Sequence, residues 1–103
     1  MQKQVEEFNN LRGCHEKPMP VFARILDIQS ELGELSKEVL KNSKYGTEEF
    51  VFSEDFEMEF GDVLYSLLSL GNECGLDAEK ALDKVLDKYK KRIEDKKSMG
   101  SGR

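Results

Sequence analysis

Glu31 and Glu34, in the run ELGEL, and Glu59 and Asp62, in EFGDVL, form two acidic pairs whose members stand three residues apart. On a helix that spacing places both carboxylates of a pair on one face. Four carboxylates gathered at a partly buried place repel one another unless a cation neutralises them. Hard oxygen donors with no His or Cys among them select Mg²⁺, with Mn²⁺ as a possible substitute. Each pair also encloses a glycine, Gly33 or Gly61. A glycine inside a helix costs about 1 kcal/mol relative to alanine, so the two together cost about 2 kcal/mol. We expect them to relieve crowding, to let helices or substrate approach closely and to leave room for a hydrated ion. A single E-x-x-E in so acidic a chain commonly marks a solvated helix face. Two such pairs, each bordering an apolar stripe on consecutive helices, favour a site over a surface.

The elements that must position these acids are helices. Val5, Phe8 and Leu11 recur at helical spacing and predict a short amphipathic helix over residues 2–12. Residues 13–20, with two prolines, form a connection, and Pro20 suits the first turn of the next helix. That helix is predicted to run to about Lys41, with Ile25, Ile28, Leu32, Leu35 and Val39 as its apolar stripe. Asn42, Ser43 and Gly46 end it. Ser53 is the predicted N-cap of a third helix, with Glu54 and Asp55 at the positive end of its dipole. Its apolar face carries Phe56, Phe60, Val63, Leu67 and Leu70, and Gly75 is its left-handed stop. Asp77 caps a fourth helix that carries Ala81, Leu82, Val85, Leu86, Tyr89 and Ile93 to about Lys96, with Leu76 placed to staple against Ala81. Residues 97–103 read as a tail. The expected fold is therefore an all-α bundle of about four helices, in one domain spanning residues 1–103. A short second-to-third connection makes those two helices antiparallel, which brings the acid pairs together.

Composition narrows the function. Of 103 residues, 38% are hydrophobic and 36% charged, so a monomeric core is thin and homo-oligomerisation is expected to complete it. A net charge of −5 argues against binding a nucleic-acid polymer, whose phosphates call for clustered Lys and Arg. No apolar run is long enough to span a membrane, and MQKQVEEF lacks the apolar core of a signal peptide, so a soluble, cytoplasmic protein is expected. Cys14 and Cys74 form no C-x-x-C unit and read as reduced thiols in or near the core. A di-iron carboxylate bundle needs Glu-x-x-His on two helices, and the sole histidine, His15, lies in the first connection. Phe22 reads as a core residue.

At QSELGELSKEV and MEFGDVLYSL the sequence resembles the MazG-like nucleotide pyrophosphohydrolases of the all-α NTP pyrophosphatase superfamily. The resemblance runs through GNECGLDAEKAL into DKYKKR and covers about Pro20 to Arg92. It implies hydrolysis of a nucleoside triphosphate between its α and β phosphates, giving a monophosphate and pyrophosphate, with Mg²⁺ required. By position Glu31, Glu34, Glu59 and Asp62 would be the metal ligands. Glu31 would orient and deprotonate the attacking water, and Glu38, one turn beyond Glu34, is the second catalytic candidate. Lys88 and Arg92 would present positive charge to the phosphates, although relatives often carry an asparagine near the position of Leu86. Ser66, one turn past Asp62, would face the substrate. The family also implies a homodimer or a dimer-of-dimers tetramer, and the single-domain length favours a house-cleaning role toward noncanonical nucleotides. The alternative is a noncatalytic helical oligomer that binds a nucleotide or a partner helix.

Overall fold

In the computed structural model, which describes residues 1–13 and 20–100, four helices follow one another: α1 (Gln2–Leu11), α2 (Val21–Asn42), α3 (Glu54–Glu73) and α4 (Ala78–Gly100). No strand occurs among the described residues. The boundaries expected from sequence hold within a residue or two, except that the backbone of α4 continues to Gly100 instead of stopping near Lys96.

The centre of the fold is the antiparallel pair of α2 and α3, joined by residues 43–53. Its closed end is built by one hydroxyl. Ser53 Oγ caps α3 by accepting from the backbone N–H of Phe56 at 3.1 Å, and it also accepts from Asn42 Nδ2, at the end of α2, at 2.7 Å. Phe50 and Phe52 close over Phe56 edge to face, at 4.9 and 6.1 Å between centroids. Within this connection Lys44 and Tyr45 are left-handed, at φ 46° and 60°, a conformation that costs a side-chain-bearing residue roughly 1 kcal/mol or more. At the open end, Arg24 Nη2 of α2 reaches Glu73 Oε1 of α3 at 3.1 Å. Two small residues of α3 are buried, Ser66, which donates to Asp27 of α2, and Ser69, which is fully inaccessible.

On another face of α3 lies α1, also antiparallel. Phe8 meets Tyr65 edge to face at 5.9 Å, and Asn9 Nδ2 donates to Ser69 Oγ at 3.2 Å. Gln2 clasps the turn between α3 and α4: its Nε2 donates to Asn72 Oδ1 and the Leu76 carbonyl, and its Oε1 accepts from the Ala78 N–H at 2.7 Å. Gly71 makes this approach possible, since a Cβ there would stand 3.3 Å from Gln2 Nε2. Gly75, at φ 69°, ends α3 as expected, and Asp77 caps α4 by accepting from the Lys80 N–H at 3.1 Å.

The apolar faces are less covered than their periodicity predicts. Among the described residues, only Ile28 and Leu68 of the large apolar side chains are buried. Of the stripe expected on α2, Ile25, Leu32 and Val39 are exposed, and Phe22, read as core, is 72% exposed. Cys74, read as lying in or near the core, is an exposed free thiol, whereas Cys14 and His15 fall outside the described residues. After its first turns, where Ala78, Ala81 and Leu82 line grooves with Leu67 and Leu68, α4 leaves the bundle. Leu86, Tyr89 and Ile93 are consequently exposed. The radius of gyration, 18.3 Å, exceeds the roughly 13 Å of a compact chain of this length.

Candidate active site

The acids lie midway along the α2–α3 pair, between the Asn42–Ser53 closure and the Arg24–Glu73 ion pair. Antiparallel packing sets Glu31 of α2 opposite Asp62 of α3, with Glu59 one turn away from Asp62 on the same face. One oxygen from each of Glu31, Glu59 and Asp62 lies within 4.8 Å of the other two. Glu31 and Glu59 are half-buried and Asp62 is exposed, so the cluster is a floor open to solvent on one side.

The electrostatics follow from that crowding. Partial burial raises the Glu31 carboxyl above the usual carboxylate range, and the charges of Asp62, Asp27, Glu59 and Glu34 raise it further. Glu59 is raised in the same direction, by desolvation first and then by Asp62, Glu34, Glu38 and Asp55. Glu34, expected beside Glu31, stands outside the tight group with its Oε1 3.5 Å from Lys37 Nζ, although its charge still reaches both Glu31 and Glu59. Glu38, one turn beyond, buries its Oε2 without a hydrogen-bond partner among the described residues. A donor set of three clustered carboxylates without nitrogen or sulfur, neighboured by an orphaned carboxylate oxygen, fits a hard divalent cation coordinated by oxygen.

Gly33 and Gly61 do not relieve crowding inside the chain, because a Cβ at either position would meet no atom within 4 Å. The close approach within the chain belongs instead to Gly71. Ser66 is 3% exposed, and its Oγ donates to Asp27 Oδ2 at 2.9 Å. Lys88 and Arg92 sit on the free part of α4, flanking the Tyr89 ring at 5.3 and 5.9 Å. Among the described residues no hydrogen bond or ion pair links them to the acids.

Sequence reasoning missed Asp27, Arg24 and Glu73, which continue the polar face beyond the acids. A signal was present: Asp27 stands four residues before Glu31, and Ser66 stands four after Asp62, so the two occupy the next turn of the same facing surfaces.

Comparison with known proteins matches the chain to a family. Residues 23–96, which include all of the acids above, match the MazG nucleotide pyrophosphohydrolase domain. The chain is 38% identical over 82 residues to the uncharacterized protein YpjD of Bacillus subtilis (strain 168), a match covering 77% of this chain and 69% of that protein. It superposes with a TM-score of 0.71 on the crystal structure of the Bacillus-conserved MazG protein, a nucleotide pyrophosphohydrolase, at 29% identity, covering 86% of this chain and 84% of that one. With most of its length accounted for by one domain model and its helices by one solved fold, the chain is an all-α hydrolase that belongs to the MazG nucleotide pyrophosphohydrolase family.

Proposed function

We propose that this protein is a Mg²⁺-dependent nucleoside triphosphate pyrophosphohydrolase that releases a nucleoside monophosphate and pyrophosphate, acting in the clearance of noncanonical nucleotides. The observation that carries this reading is the convergence of Glu31, Glu59 and Asp62 on a space within 4.8 Å. Glu34 joins them as a fourth ligand when it exchanges its exposed contact with Lys37 for the cation. The metal, Mg²⁺ or Mn²⁺, would neutralise charge on the phosphate oxygens as the bond to the leaving pyrophosphate breaks.

The chain's own residues then divide the remaining work. Glu31, half-buried beside the cation site, takes the proton of the water that attacks phosphorus. Glu38, with its unpartnered oxygen, holds that water in line. Ser66 keeps the floor of the site low, since a larger side chain at this buried seam would push into it. Lys88 and Arg92 offer positive charge to the triphosphate once α4 is docked in an assembly. The exposed apolar face of α4 and the extended shape support a homodimer or a dimer-of-dimers tetramer. No described helix is long and apolar enough to cross a membrane, consistent with action on nucleotides in the cytoplasm.

Pyrophosphate release from a panel of canonical, oxidised and methylated dNTPs, with Mg²⁺ and with chelator, tests the proposal. Turnover should require the metal and fall by at least about 100-fold in Glu34→Gln and Asp62→Asn, the lower end of the range for loss of an essential electrostatic contact. Activity that survives both changes refutes the ligand assignment. Metal binding with no turnover across the panel would favour the noncatalytic helical oligomer.

A further inference from the structure

One turn from Glu31 and Asp62, α2 and α3 still face each other, at Asp27 and Ser66. Ser66 Oγ donates to Asp27 Oδ2 at 2.9 Å. The same oxygen lies 3.7 Å from Arg24 Nη1. Arg24 is 5% exposed, and its other terminal nitrogen is held by Glu73 Oε1 at 3.1 Å. Asp27 is thus engaged twice through one oxygen. Its Oδ1 enters no hydrogen bond among the described residues, and its side chain remains 37% exposed.

A role in folding alone explains this poorly. Glu73 already neutralises the buried guanidinium at the shorter distance, whereas Asp27 adds a negative charge near a carboxylate cluster that is already crowded. Hydrogen bonding it in place fixes the repulsion instead of letting the side chain swing into solvent. The arrangement becomes favourable when a cation occupies the neighbouring turn. A magnesium-like ion dehydrates reluctantly and keeps several waters, which then need acceptors in fixed positions.

The geometry points to Asp27 as a positioning residue: pinned through Oδ2 by Ser66 and Arg24, it offers Oδ1 as a hydrogen-bond acceptor to water carried by a divalent cation at Glu31, Glu59 and Asp62. This rests on the metal-site reading given under Proposed function. Ser66 then has a definite part, acting through Asp27.

The test is binding of Mn²⁺ alone to the full chain, followed by calorimetry or by the spin-resonance signal of the free ion. Asp27→Asn, which keeps the shape and an acceptor for Ser66, should weaken Mn²⁺ binding about tenfold. Ser66→Ala, which removes a single hydroxyl, should weaken it about threefold, as expected for one hydrogen bond. The double variant should bind no more weakly than Asp27→Asn, because the hydroxyl has no other route to the ion. In chelator, Asp27→Asn should melt no lower than the unaltered protein, which separates lost affinity from lost folding. Unchanged Mn²⁺ affinity in both single variants, with binding abolished in Asp62→Asn, overturns the role of Asp27 alone. Additive losses in the double variant overturn it as well. Asp62→Asn that binds Mn²⁺ like the unaltered protein overturns the metal site itself.

Discussion

Replacing Asp62 by asparagine should strengthen the metal-free protein while disabling the metal-bound one. Asp62 has an oxygen within 4.8 Å of Glu31, and its charge is the leading neighbouring charge raising both Glu31 and Glu59. Two unit charges at that separation repel by about 1 kcal/mol in a water-like dielectric. The site is open to solvent on one side, so screening holds the usable figure at or below that value. We expect Asp62→Asn to raise the unfolding free energy in chelator by about 0.5–1 kcal/mol at low salt, from urea titrations read by helical circular dichroism. In 1 M salt, where screening acts over about 3 Å, the gain should shrink toward zero. Saturating Mg²⁺ should reverse the order. At 100 times the dissociation constant a bound ion adds about 2.7 kcal/mol to the unaltered protein. Asp62→Asn should gain little. A variant less stable than the unaltered protein in chelator would refute the repulsion argument, because Asp62 would then be making net favourable contacts. Full stabilisation by Mg²⁺ in the variant would refute its place among the ligands.

Three further outcomes follow from the same structure. Because the folded-state pKa values of Glu31 and Glu59 lie above the ordinary carboxylate value of 4.5, the folded chain binds these protons more tightly than the unfolded chain. Their stabilising contribution is therefore complete below that value and is lost as pH rises through the raised values. In chelator the melting temperature should fall as pH climbs from there toward neutrality, and with Mg²⁺ that fall should flatten; a metal-free melting temperature that rises over the same interval would contradict the sign. Arg24→Met strands Glu73 in a largely buried position and should cost about 3 kcal/mol in a urea titration. Gln2→Ala removes the acceptor of the Ala78 N–H and the donor to the Leu76 carbonyl, so amide exchange over the first turn of α4 should accelerate with little change at the α2–α3 seam.

The parts of the fold that sequence discloses are those governed by local chemistry. Ser53, Asp77 and Gly75 act as cap, cap and stop because each needs only its own turn to do so. The grouping of Glu31 with Glu59 and Asp62 was legible because helical spacing and one antiparallel connection suffice to bring them together. What periodicity does not reveal is which surface covers an apolar stripe. Ile25, Leu32, Val39 and Phe22 satisfy the pattern of a core yet remain exposed in the single chain, while Ser66 and Ser69, which no apolar count would select, are buried. The long-range polar contacts were equally hidden. Gln2 and Asn72 lie seventy positions apart in the chain, and neither carries a local signature of the clasp they form.

The two ends of the α2–α3 pair are fastened by different chemistry, a hydroxyl bridge at Ser53 and a guanidinium–carboxylate contact at Arg24. The carboxylates hang in the span between these abutments. Their mutual distances are consequently set from outside, by how firmly each fastening resists being pulled apart. A substitution at either abutment, far from any phosphate, would therefore register first as altered preference among ions of different radius, before any loss of helix content.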